Sequence, residues 1–91
     1  MVGCAEAELL LPSAFSLKDK RQVLRSVTER LRRRNLAVAE VAGQEQWNRA
    51  VLAIAAVGGE EGRIRRCLEE ALRFIEMDGR CEVMTACVEV Y

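Results

Sequence analysis

The 91-residue chain contains no histidine, and its four cysteines (Cys4, Cys67, Cys81, Cys87) form no C-x-x-C pair. These absences exclude the usual zinc ligand sets and any Cys/His nucleophile, leaving only an unusual all-thiolate metal site. No metal, cofactor or small-molecule substrate is expected. Apolar runs are short: "ELLLP" is far too brief to cross a bilayer, and no charged segment with an apolar core precedes "MVGC" to make a lipoprotein signal. The expectation is a protein of the reducing cytoplasm, away from membranes, with free thiols.

Charge is absent in sum and present in pattern. Fourteen Lys and Arg residues balance fourteen Asp and Glu residues, but residues 1–15 carry −2, residues 16–35 carry +6 and residues 36–91 carry −4. The chain is polarised rather than neutral. Its 51% hydrophobic and 31% charged content is that of a globular protein. The length suits one domain over residues 1–91.

In "VGCAEAELLLP", Glu6 and Glu8 oppose Ala5, Ala7, Leu9 and Leu11 with the period of a half-buried strand, which Pro12 ends. Ser16 then caps a helix, with Asp19 completing a variant capping box. Leu17, Val27 and Leu31 fall within about 60° of Leu24 on the helical wheel. The helix runs to about Arg34, and Asn35 stops it. "LAVAEVA" (36–42) reads as a strand, "GQEQ" as a turn, and "NRAVLAIAAV" as a central strand, the third, with Trp47 at its start. The stripe Ile64, Cys67, Leu68, Ala71, Leu72 and Ile75 defines a second helix, closed by Gly79. "CEVMTACVEVY" is the last strand. "GGEEG" (58–62) is not a phosphate loop, because its glutamates would face the anion and no Lys follows. The order β-α-β-β-α-β predicts a ferredoxin-like α+β fold, a four-stranded antiparallel sheet with two helices on one face.

The stretches "GCAEAELLLP", "SLKDKRQVLRSVTERLRRRN", "VAEV" and "QEQWNRAVLAIAAV", in this order, resemble the YlxP-like bacterial family, domain of unknown function 503. S-L-K-D-K-R followed by Q-x-x-W-x-R-A is its best marker. The resemblance implies a ferredoxin-like fold, and a genetic setting beside translation-initiation and ribosome-maturation genes. It also implies a histidine where this chain has Gly43 and an apolar residue where it has Gln46, so any role needing that histidine is absent or replaced here.

Lys18, Arg21, Arg25 and Arg32 form one stripe beside the buried seam of the first helix, a candidate contact for RNA or a ribosomal particle. The competing reading is a solvated face whose arginines complement the helix dipole. Lys20 sits within the seam and should snorkel to solvent. On the open sheet face, parity places Cys4, Glu6, Glu8, Leu10, Glu40, Arg49, Val51, Cys87 and Glu89. Four carboxylates repel phosphate, and the aromatic pair with which RNA-recognition sheets stack bases is missing. Leu10, Val51 and Val83 could instead form a polar-rimmed interface for a second copy or another protein, supported by edge strands around 36–41 and 83–91.

Gln44, Trp47 and Arg49 form a second possible binding surface, with Trp47 either a stacking anchor or a cover for the end of the core. Glu6 and Glu8 share a face at a spacing catalysis uses, but nothing nearby supplies a nucleophile, and no enzymatic activity is expected. Cys4 and Cys87 lie on neighbouring strands, where a disulfide or a soft-metal site is conceivable and free thiols are the default. Cys67 belongs to the core by spacing. The leading expectation is RNA or ribosome association with homo-oligomerisation, and the alternative is a protein-interaction module using the sheet face.

Overall fold

Six elements follow one another in the computed structural model, which describes residues 1–91: β1 (Val2–Leu10), α1 (Leu17–Arg32), β2 (Ala37–Ala42), β3 (Arg49–Val57), α2 (Glu61–Met77) and β4 (Glu82–Val90). The sheet order is β2-β3-β1-β4, with every neighbouring pair antiparallel. This is the ferredoxin-like arrangement that the alternating pattern predicts. β2 and β4 are the edges.

The alternation in β1 does what its period demands. Ala5, Ala7 and Leu9 are fully buried, opposite Ile54, Leu52 and Ala50 of β3. From α1, Val23, Leu24, Val27 and Leu31 pack onto this face, and from α2 Ile64, Leu68, Ala71 and Ile75. Cys67 is only half-buried at the margin of this core, and Cys81, which follows α2, is buried within it.

The helix boundaries have local causes. Ser16 has an extended backbone, and its hydroxyl accepts the Asp19 N–H at 3.0 Å. Asp19 returns the favour one residue earlier than a standard capping box would, accepting the Phe15 N–H at 3.0 Å. At the other end Asn35 adopts φ 64°, a left-handed conformation that stops the helix. Gly79, at φ 83°, plays the same part after α2.

Two bulges alter the faces. β4 skips Met84, because Thr85 pairs with Glu8 while Val83 pairs with Leu9. Val83 therefore turns inward and packs against the core, which corrects its expected place on the open face. In β2 the skipped residue is Val41, since Glu40 pairs with Leu52 and Ala42 with Val51. Glu40 lies on the helix side, in phase with buried Leu36 and Val38, which corrects its expected place by parity on the open face.

Candidate nucleic-acid interface

Glu40 can point inward because of Lys20. That lysine occupies a core-facing position of α1 and is only 2% exposed. Its ammonium does not snorkel to water. It sits 2.7 Å from Glu40 Oε2 and donates to the carbonyls of Gly43 and Gln46, each at 2.6 Å. A buried ammonium needs such partners, and here they come from the strand and the loop that follows it. The β2–β3 loop is thereby tied to the first helix.

Along the same flank of α1, Arg21, Arg25 and Arg32 line a groove between the helix and β2, together with Leu24 and Thr28, over a floor formed by Leu52 and Glu40. The groove encloses about 330 Å³. Arg32 is partly fixed, its guanidinium donating to the Val38 carbonyl at 3.0 Å. Lys18 stands exposed in the first turn, outside the groove lining. The structure thus gathers three of the four expected cations and leaves the fourth beside them.

None of these cations forms an ion pair, although Glu40 lines the groove and Glu29 lies beside Arg25 and Arg33 on the outer face of the helix. No carboxylate oxygen lies within 4.0 Å of Lys18, Arg21, Arg25, Arg32, Arg33 or Arg34. The protein's ion pairs involve other cations: Lys20 with Glu40, Arg49 with Glu8, Arg65 with Glu61, and Arg30 and Arg80 with Asp78. The side-chain hydrogen bonds from Arg80 hold the Asp78 carboxyl below its ordinary value, so it stays ionised.

Gln44, Trp47 and Arg49 do not form a single surface. Arg49 bonds to Glu8 at 3.1 Å on the open sheet face, while Gln44 donates back to the Glu40 carbonyl of β2. Trp47 lies in the β2–β3 loop rather than on β3, which begins at Arg49. It is 44% exposed and stacks on Phe15, with ring centroids 6.3 Å apart. Phe15 had no place in the sequence reading. An apolar residue directly before a cap commonly packs on the fourth residue of its own helix, which is Lys20 here, so no local signal points from Phe15 to Trp47.

On the open face, Cys4 is paired with Glu89 and Cys87 with Glu6, so the two cysteines are diagonal neighbours. All four thiols are free. No group of three or more His, Cys, Asp or Glu side chains is placed to hold a metal. No helix is long and apolar enough to cross a membrane.

A family model described as "Protein of unknown function (DUF503)" matches residues 2–87. The chain belongs to this family. It is 35% identical over 77 residues, 84% of each chain, to "Uncharacterized protein YlxP" of Bacillus subtilis (strain 168). Among solved structures, a de novo designed protein with a ferredoxin fold, determined by solution NMR, is similar over all of this chain and 87% of its own length, with a TM-score of 0.66 at 12% identity. That likeness concerns the fold alone. In this DUF503 chain, the position at which the resemblance implies a histidine is Gly43. Its backbone is at φ 78°, and its carbonyl is one of the two that Lys20 binds. The loop is held here through backbone groups at a residue without a side chain.

Proposed function

We propose that this DUF503 protein is a non-catalytic RNA-binding module of the cytoplasm that associates with RNA or ribosomal particles through α1. One observation carries the reading: Arg21, Arg25 and Arg32 converge on one groove with no carboxylate within 4.0 Å. Guanidinium groups match phosphate geometry and are weakly hydrated, so a free cluster on one helix flank suits a sugar–phosphate backbone. The translational setting implied by the family resemblance agrees with this. The open sheet face suits RNA less well, since Glu6, Glu8 and Glu89 lie there. The alternative, a second copy seated on that face, is weakened because Val83 is no longer available to it.

With Lys18 included, four phosphate contacts give a slope of log affinity against log salt of about −4, or roughly a 10² loss between 50 and 200 mM salt. Co-sedimentation with ribosomal subunits and titration of an RNA hairpin across that range measure the slope. Lys18→Glu with Arg25→Glu abolishes binding without disturbing the core, since both positions are exposed. Binding that is absent at 50 mM salt, or indifferent to the two substitutions, defeats the proposal. The mass of the free protein in the same buffers tests for a dimer.

A further inference from the structure

The other flank of α1 carries a second set of arginines, and it meets α2. Taking Leu24 as the centre of the buried seam, Arg30 lies about 120° to the side opposite the Arg21 groove, and Arg34 follows in the turn just beyond the C-cap Arg33. Across from them α2 presents Arg73, Phe74 and Met77, and together these residues line an open cleft of about 430 Å³.

Two features separate this cleft from an ordinary solvated face. Phe74 and Met77 stand about 120° and 180° round α2 from Leu68, well off its buried stripe. Met77 is 86% exposed, and Phe74 is only half-buried at the edge of the core. Second, Arg34 places its guanidinium carbon over the Phe74 ring, 4.7 Å from the centroid. A ring, a planar cation and a polarisable thioether therefore form one continuous surface.

The charges round it are mostly positive. Arg34 and Arg73 have no carboxylate within 4.0 Å, and Arg30 reaches Asp78 only at 3.8 Å. Asp78 is already bound by Arg80 at 2.6 and 2.8 Å, which leaves Glu70 as the one uncommitted acid of the rim. An apolar, stackable floor beside three guanidiniums is complementary to a planar base carrying a phosphate.

We infer that the α1–α2 cleft is a binding site for a nucleoside phosphate, with the base on the Phe74–Met77 surface and the phosphate on Arg30, Arg34 and Arg73. Unpaired bases commonly stack on aromatic side chains and on guanidinium planes. The ligand is either a nucleotide within an RNA strand or a free mononucleotide. The first source rests on the RNA-binding reading above, and the second does not.

The three methionines, Met1, Met77 and Met84, permit a direct test by carbon-13 labelling of their methyl groups in the full chain. Adenosine monophosphate, an oligoadenylate and inorganic pyrophosphate are each titrated at 50 mM salt. A stacked base moves the Met77 methyl signal upfield and leaves Met84, on β4, in place. Movement with the oligoadenylate alone assigns the cleft to RNA strands, and movement with the mononucleotide as well assigns it to free nucleotides too. Arg34→Gln with Arg73→Gln, both at exposed positions, weakens either ligand by about tenfold or more. Phe74→Leu removes the Met77 shift.

Three outcomes overturn the inference: a Met77 signal that ignores both nucleotide ligands, one that moves equally with pyrophosphate, and one that persists in Phe74→Leu. The two sites fail separately. RNA binding lost in Lys18→Glu with Arg25→Glu while Met77 never moves leaves the α1–β2 groove standing alone. A nucleotide-dependent Met77 shift with RNA affinity untouched by those substitutions leaves the cleft alone.

Discussion

Replacing Lys20 with methionine should cost far more than replacing any other lysine or arginine of α1. The side chain is 2% exposed and has three oxygen partners within 2.7 Å: Glu40 Oε2 and the carbonyls of Gly43 and Gln46. Methionine fills nearly the same volume, so little of the effect comes from packing. What remains is a carboxylate without its cation and two carbonyls without their donor. Breaking a buried pair costs about 3–5 kcal/mol, and the lower end applies because the Glu40 side chain is 25% exposed and can reach water. For a domain of this size, about 3 kcal/mol lowers Tm by roughly 12–24 °C. Urea unfolding followed by far-UV circular dichroism gives the stability, and Trp47 fluorescence reports separately on the loop that Lys20 ties down. Lys20→Met with Glu40→Leu should recover at least half of the loss, since it removes the orphaned charge. A single-variant loss below about 1 kcal/mol, or a double variant no more stable than the single, would mean that the ammonium is solvated and the description of this site is wrong.

Gly3→Ala should destabilise by about 1–3 kcal/mol in the same unfolding assay, because an added Cβ would land on Ile64 Cγ2 of α2 and press on Leu68. Burial, followed by the charge of Asp78, pushes the Cys81 thiol up from 9.0 to about 11. The unfolded chain loses this proton first, so stability falls between about pH 9 and pH 11, by at most about 2–3 kcal/mol, and Cys81→Ala flattens that limb. At the acid end the Arg80 hydrogen bonds depress Asp78, so its contribution is present above its unfolded value and is lost as pH falls below about 4; Asp78→Asn removes this dependence. Cys4 and Cys87 are diagonal neighbours, about 7–8 Å apart at Cα and beyond the reach of a disulfide. Thiol titration of denatured protein purified without reductant should therefore find four free groups.

The fold was legible because its signals are periodic and local. Ala5, Ala7 and Leu9 alternate, the α2 stripe repeats at helical spacing, and Ser16 and Asn35 mark the ends of α1. The misplaced residues share a different origin. Val83 turned inward because a single bulge at Met84 reverses strand parity, and nothing in "CEVMTACVEVY" marks the bulged residue. The sequence puts Trp47 at the start of the third strand because "NRAVLAIAAV" gives no sign that pairing begins at Arg49. Lys20 and Glu40 were misread together. Lys20 falls in the core-facing seam with a charge that argues for solvent, Glu40 shares the parity of Leu36 and Val38 with a charge that argues against their face, and only the pairing of the two across distant elements resolves both conflicts. Phe74 and Met77 were visible as apolar residues off their helix's buried stripe. Their significance depends on Arg30 and Arg34, which only the packing of α1 against α2 brings near.

The Lys20–Glu40 pair also explains why the candidate groove remains cationic. Glu40 is the one carboxylate lining the space between α1 and β2 where Arg21, Arg25 and Arg32 stand. Were it free, its attraction for three nearby guanidiniums would neutralise part of the ridge, as acidic neighbours do on most helix surfaces. Instead its Oε2 is held at 2.7 Å by an ammonium on the buried side of the same helix. That ammonium is itself fixed by two backbone carbonyls of the β2–β3 loop. The arginines stay unpaired because Lys20 has already engaged the acid that lines their groove. The feature that most resembles an internal stabilising contact is thus also what leaves the groove open to an external anion. It follows that the charge pattern of "SLKDKRQVLRSVTERLRRRN" does not describe a uniform basic face. Lys20 is committed to the fold, and its hold on Glu40 leaves Arg21, Arg25 and Arg32 without a carboxylate partner.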